Sequence, residues 1–117
     1  MLTLRSAQVE AFDAAAVKDF EELMVPHLKK FFPEFFEAAG EPKVREFIRY
    51  GVKRSGSYQI TAKRDVSRYI DLMVSLGRDF DQDPDLSWAG EILRTCNSAD
   101  TKITVLLKNA EKHLKGA

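Results

Sequence analysis

The chain has 117 residues, of which 44% are hydrophobic and 31% charged. That is enough for one domain burying roughly two-thirds of its unfolded surface, with no need of a disulfide or structural metal. The 18 basic and 18 acidic side chains cancel, which excludes a global field drawing the protein to nucleic acid or anionic lipid. The single cysteine, Cys96, cannot close an internal disulfide, and no basic stretch leads into an apolar signal region. No apolar run approaches the ~20 residues needed to span a bilayer. A cytoplasmic protein is therefore expected, with residues 1–117 as a single domain.

Apolar residues recur at helical spacing almost throughout. Ser6 can cap a first helix whose Val9, Phe12, Ala16, Phe20, Leu23 and Met24 share a face, and His27, Leu28 and Phe31 extend that face beyond Pro26. The expectation is one long helix kinked at Pro26, which cannot donate the bond to Glu22. Pro33 opens a short helix to Gly40, and Pro42 opens a third with Val44, Phe47, Ile48, Gly51 and Val52 as its buried stripe, broken at Ser55, Gly56 and Ser57. A fourth helix, capped by Thr61, buries Val66, Tyr69, Ile70, Met73 and Val74 and stops at Gly77. Pro84 and Asp85 start a short helix with Leu86, Trp88, Ala89, Ile92 and Leu93, ending at Asn97 and Ser98. Ser98 or Asp100 begins the last, with Ile103, Leu106, Leu107, Ala110 and Leu114 inside and Lys108, Lys112 and Lys115 towards its C-terminal end. The fold class is all-α, a compact bundle of five to six helices.

Between the fourth and fifth helices, Asp79, Asp81, Asp83 and Asp85 alternate along the loop. With Ser87 they match the first five ligand positions of an EF-hand, but Pro84 stands where that loop needs a glycine and Gly90 where it needs a bidentate glutamate. A solvated loop whose Asp85 caps the next helix is the expectation, with no metal or other cofactor. The loop offers no apolar pocket to tune a carboxylate pair for hydrolysis. Cys96 has no histidine near it in sequence, His27 falls on an apolar face where a hydrogen-bonded core role fits it, and the glycines are isolated at helix ends rather than grouped for phosphate. No enzymatic function is expected.

Binding is the alternative. Arg45, Arg49 and Lys53 lie four apart on the third helix, and Lys63, Arg64 and Arg68 lie on the outer face of the fourth. Glu46, Asp65 and Asp71 are interleaved with them, so the basic residues suit intrahelical pairing or a dipolar protein-docking patch with Asp79 and Asp81 better than phosphate contacts. Phe31, Phe32, Phe35 and Phe36 hold half of the eight phenylalanines. They form two adjacent stripes, of which a short helix can bury one. The other, with Phe32 and Phe36, is a candidate protein contact.

The order Phe12, Phe20-Glu21, Met24-Val25, His27-Leu28, Phe32-Pro33, then Ile60-Thr61, Arg64-Asp65-Val66, Arg68 through Met73 and Asp79-Phe80-Asp81 resembles small helical proteins encoded beside type VI secretion effectors, near VgrG or PAAR spike genes. The resemblance covers roughly residues 6 to 94 and departs from the pattern at Pro26. It implies an adaptor or co-chaperone partnering an effector, its loading chaperone or a spike component. Rival expectations are an immunity protein whose acidic loop mimics an anionic substrate, and a nucleic-acid-binding regulator using the Arg45, Arg49 and Lys53 face.

Overall fold

The computed structural model describes residues 14–95 and 98–116. Six α-helices form among them: α1 (Ala14–Phe31), α2 (Pro33–Ala39), α3 (Glu41–Ser57), α4 (Lys63–Leu76), α5 (Ser87–Thr95) and α6 (Ala99–Gly116). Two 3₁₀ turns, Phe80–Gln82 and Pro84–Leu86, carry the chain from α4 to α5. The expectations resting on Ser6, Val9, Phe12, Cys96 and Asn97 lie outside the described residues. α4 is central: it packs on α1, α3 and α6, while α2 covers α1 and α3, and α5 joins α6 to the 3₁₀ turns. No described helix is long and apolar enough to cross a membrane.

α1 continues through Pro26, which lies on its exposed side. Its buried strip is Phe20, Glu21, Met24, Val25 and Leu28, so the face is rotated from the expected one. Leu23 (66% exposed) and Phe31 (58%) point to solvent. The cause is Glu21, a charge that the apolar pattern assigns to the surface but that is buried to hold Arg45 and Arg49 of α3. Leu114 is likewise exposed rather than inside α6.

α3 runs through Ser55 and Gly56 to Ser57 instead of breaking there. The Ser55 hydroxyl donates to the Val52 carbonyl, so the serine is buried without an orphaned group. Gly51 is required by packing: a Cβ there would lie 2.5 Å from Cγ1 of Ile70 and 3.0 Å from Sδ of Met73, so α3 and α4 approach more closely than an alanine allows. At the end of α3, Gln59 adopts a positive φ of 66°, and the buried ammonium of Lys102 donates to the Tyr58 carbonyl at 2.7 Å. A cation placed there complements the helix's negative end.

The cap of α4 differs from expectation. Ala62 is its N-cap residue and no side chain accepts from the first turn, so Thr61 does not cap it. α6 does have its expected cap: Ser98 Oγ accepts from the Thr101 backbone N–H at 3.1 Å.

Candidate docking faces

The aspartate loop is solvated at Asp79 and Asp85, as expected, but Asp81 within it anchors the fold. The Asp81 side chain has no exposed surface; it pairs with Arg54 of α3 and accepts the Tyr58 hydroxyl at 2.6 Å. The Tyr69 ring of α4 lies 5.1 Å from that of Phe80, tilted by 46°. Gly90 belongs here too, because a Cβ on it would meet the Asp81 carbonyl at 2.8 Å. Asp79 takes the Tyr50 hydroxyl and lies 3.3 Å from Arg78. The Tyr50 bond in particular holds the Asp79 carboxyl below its ordinary range. Asp83, not Asp85, is the local cap, accepting from the Asp85 backbone N–H at 2.9 Å. The carboxylates of Asp79, Asp81 and Asp83 thus diverge toward separate partners.

Arg45 and Arg49 of the expected basic face are committed to internal pairs. Arg45 reaches Glu21 at 2.7 Å, Glu22 at 3.0 Å and Glu41 at 3.0 Å. Arg49 lies 3.3 Å from Glu21. The contacts to Glu21 and Glu22 clamp α3 to α1, so both arginines serve the fold. Lys53 is exposed beside Arg49 in a recess floored by Val17, Val52 and Ile60. Arg64 is 71% exposed and 4.0 Å from Asp65, which is buried in the first turn of α4 where the helix dipole favours an anion. Arg68 stands apart from the α3 arginines, on a groove toward α6.

The aromatic cluster divides differently from the expected stripes. Phe32, Phe35 and Phe36 are each half-buried. Phe35 packs its ring 4.8 Å from Phe47 of α3, and Lys29 lies 5.8 Å over Phe36. Phe31 is the exposed member, with its ring 4.9 Å from that of His27 and Lys30 5.3 Å above it. Leu23, His27 and Phe31 lie four apart and form one outward stripe along α1. Beside Phe31 a recess of about 330 Å³ is lined by Phe32, Pro33, Glu34, Phe35 and Val74.

His27 is held in place by α4. Its Nε2 lies 3.0 Å and 3.1 Å from the two carboxylate oxygens of Asp71, making a half-exposed bridge. The hydrogen bond expected for His27 is present, with its partner supplied by another helix, but the ring lies on the outward side of α1 rather than in the core. Burial raises the Asp71 carboxyl above its ordinary range, and the nearby His27 opposes that shift.

Asp71 also borders a groove of about 620 Å³ between α4 and α6. Leu72, Leu107, Ala110 and Leu114 supply its apolar wall, and Arg68, Lys108 and Glu111 its charged rim. Neither this groove nor the Leu23 stripe is read from the sequence: both depend on which side of α1 and α6 the core takes. Arg54, Tyr58 and Glu21 are also missed, since only their tertiary partners distinguish them from surface residues.

No protein-family model, curated protein or solved structure matches this chain.

Proposed function

We propose that the protein is a non-enzymatic accessory of a type VI secretion effector module. In this reading it is an adaptor or co-chaperone that binds the effector or its loading chaperone in the cytoplasm. The docking element is the α1 stripe of Leu23, His27 and Phe31 with the recess beside Phe32. The observation that carries this reading is the exposure of Leu23 at 66% and Phe31 at 58% on a helix whose opposite side is already packed. Large apolar side chains grouped on one exposed face characterise protein contacts, and an aromatic ring beside a shallow apolar recess is a suitable anchor. His27-Leu28 and Phe32-Pro33, two of the pairs that carry the family resemblance, lie within or next to this face.

The rival readings draw less support. Substrate mimicry by the acidic loop requires its carboxylates to be presented together, whereas Asp81 is buried against Arg54 and Asp79 is engaged by Tyr50 and Arg78. Phosphate binding through α3 requires available arginines, whereas Arg45 and Arg49 are paired with Glu21.

The test is affinity purification of the tagged chain from its own cells, comparing wild type with Leu23→Glu/Phe31→Glu by mass spectrometry. An effector or loading chaperone should accompany the wild type and disappear from the variant, while far-UV circular dichroism stays unchanged because both sites are exposed. A toxin recovered equally with both proteins, together with protection of cells from it, contradicts the proposal in favour of immunity.

A further inference from the structure

We propose that the recess between the start of α1 and the second half of α3 binds a small amphipathic carboxylate, an acid whose hydrocarbon covers the floor and whose carboxylate meets Lys53 and Arg49. Its volume of about 470 Å³ is that of a small-molecule site. Arg49, Val52, Lys53 and Gly56 stand at i, i+3, i+4 and i+7, so the cations and the apolar wall share one face of α3. Val17 of α1, with Ile60 and Thr61 just beyond α3, completes the lining. Gly56 keeps that wall low, since a Cβ there would meet nothing within 4 Å.

Charge selects the occupant. The lining carries two cations and no carboxylate. By contrast, the α4–α6 groove sets Asp71 and Glu111 among Arg68 and Lys108, and the charged group of the recess at Phe31 is Glu34. Lys53 is exposed and has no ion pair or hydrogen bond among the described residues, and the Thr61 hydroxyl is likewise unpartnered among them. Arg49 is half-exposed and commits only Nη1, at 3.3 Å, to Glu21, which Arg45 holds more closely at 2.7 Å. The remaining donors of the Arg49 fork can therefore join the Lys53 ammonium in charge-assisted bonds to one carboxylate. Val17, Val52 and Ile60 favour an apolar body behind that carboxylate, so a purely polar anion leaves the floor uncovered and a neutral or cationic amphiphile leaves Lys53 unpaired. A peptide C-terminus is characteristically captured by backbone N–H groups, whereas the donors here are side chains. The site shares no residue with the Leu23, His27 and Phe31 stripe, so this binding is independent of the proposed adaptor role.

Titration of the full chain with octanoate, well below micelle formation and followed by amide ¹H–¹⁵N correlation spectra, tests this directly. Octanoate should bind at one site with a Kd below about 1 mM and shift the amides of Val17, Val52, Gly56, Ile60 and Thr61. Octan-1-ol should bind there about tenfold more weakly, and octylammonium not at all. Lys53→Gln should weaken octanoate about tenfold while leaving octan-1-ol unchanged, and Lys53→Arg should retain octanoate binding. Gly56→Leu puts a side chain across the recess and should abolish binding of both; its spectrum also reports whether it is folded, and the exposed Lys53 variants carry the test if it is not. No binding by the wild type, equal affinity for octanoate and octan-1-ol, shifts centred on Leu107 and Leu114 instead, or indifference of octanoate to Lys53→Gln would overturn the inference. Tighter binding at this site by a short peptide ending in a leucine carboxylate would overturn its assignment to a small ligand.

Discussion

Replacing Asp81 with alanine should be among the most damaging single changes in this protein. Its carboxylate has no exposed side-chain surface, while Arg54 opposite it is 25% exposed. Alanine leaves the guanidinium and the Tyr58 hydroxyl facing a space from which water is largely excluded. Removing one partner of a buried ion pair costs about 3–5 kcal/mol, and water at the exposed quarter of Arg54 moves the expectation to the lower end, about 3 kcal/mol. Asp81→Asn retains the shape and an acceptor for Tyr58 but loses the charge, so it should cost about 2 kcal/mol. Asp83→Ala is the control. It removes only the exposed local bond to the Asp85 N–H and should cost about 1 kcal/mol or less. Replacing the whole pair, as Arg54→Met/Asp81→Leu, should be milder than Asp81→Ala because no charge is stranded. Urea unfolding at neutral pH, followed at 222 nm and extrapolated linearly, measures all four. The reasoning fails if Asp81→Ala costs no more than Asp83→Ala, or if Arg54→Met/Asp81→Leu costs as much as Asp81→Ala.

Three further predictions follow from packing, protonation and capping. Gly51→Ala would gain about 1 kcal/mol in helix propensity at an open site. Here the new methyl meets the fully buried Ile70 at 2.5 Å, so net destabilisation of about 1 kcal/mol or more is expected in the same urea assay. All three tyrosines have phenol pKa values raised in the fold: Tyr50 chiefly by its bond to Asp79, Tyr58 by burial to about 12, and Tyr69 by burial. The folded state thus keeps phenol protons that the unfolded chain releases near pH 10, and stability should fall as pH rises from about 10 through 12. Phenolate absorbance should grow together with loss of helix rather than before it; an earlier phenolate rise contradicts the packing. Finally, Ser98→Ala should cost about 1 kcal/mol through loss of a real N-cap, whereas Thr61→Ala should change stability by less than about 0.5 kcal/mol.

Helix number, order and approximate limits were legible because Pro33, Pro42, Gly40 and Gly77 punctuate the chain and the apolar residues keep a helical period. The side of a helix that faces the core was less legible. On α1, Phe20, Met24 and Leu28 fit either of two neighbouring arcs, and only the burial of Glu21 against Arg45 and Arg49 decides between them. Much the same holds for Asp81. An aspartate in a polar loop reads as solvated until Arg54 and Tyr58, distant in sequence, are seen to converge on it. Arg68 and Phe32 border grooves. The exposed large apolar residues Leu23, Phe31 and Leu114 fall on faces that helical periodicity alone turns inward.

Effector export is the most direct measure of the proposed adaptor role. Cells lacking this protein would be supplied with either the wild type or Leu23→Glu/Phe31→Glu, and an effector that co-purifies with the wild type quantified in the medium and in the cells. The account predicts that the wild type restores export and the folded variant does not, with the effector retained inside and the producing cells still protected from it. Normal export in cells lacking the protein altogether, or loss of protection in place of loss of export, would contradict it.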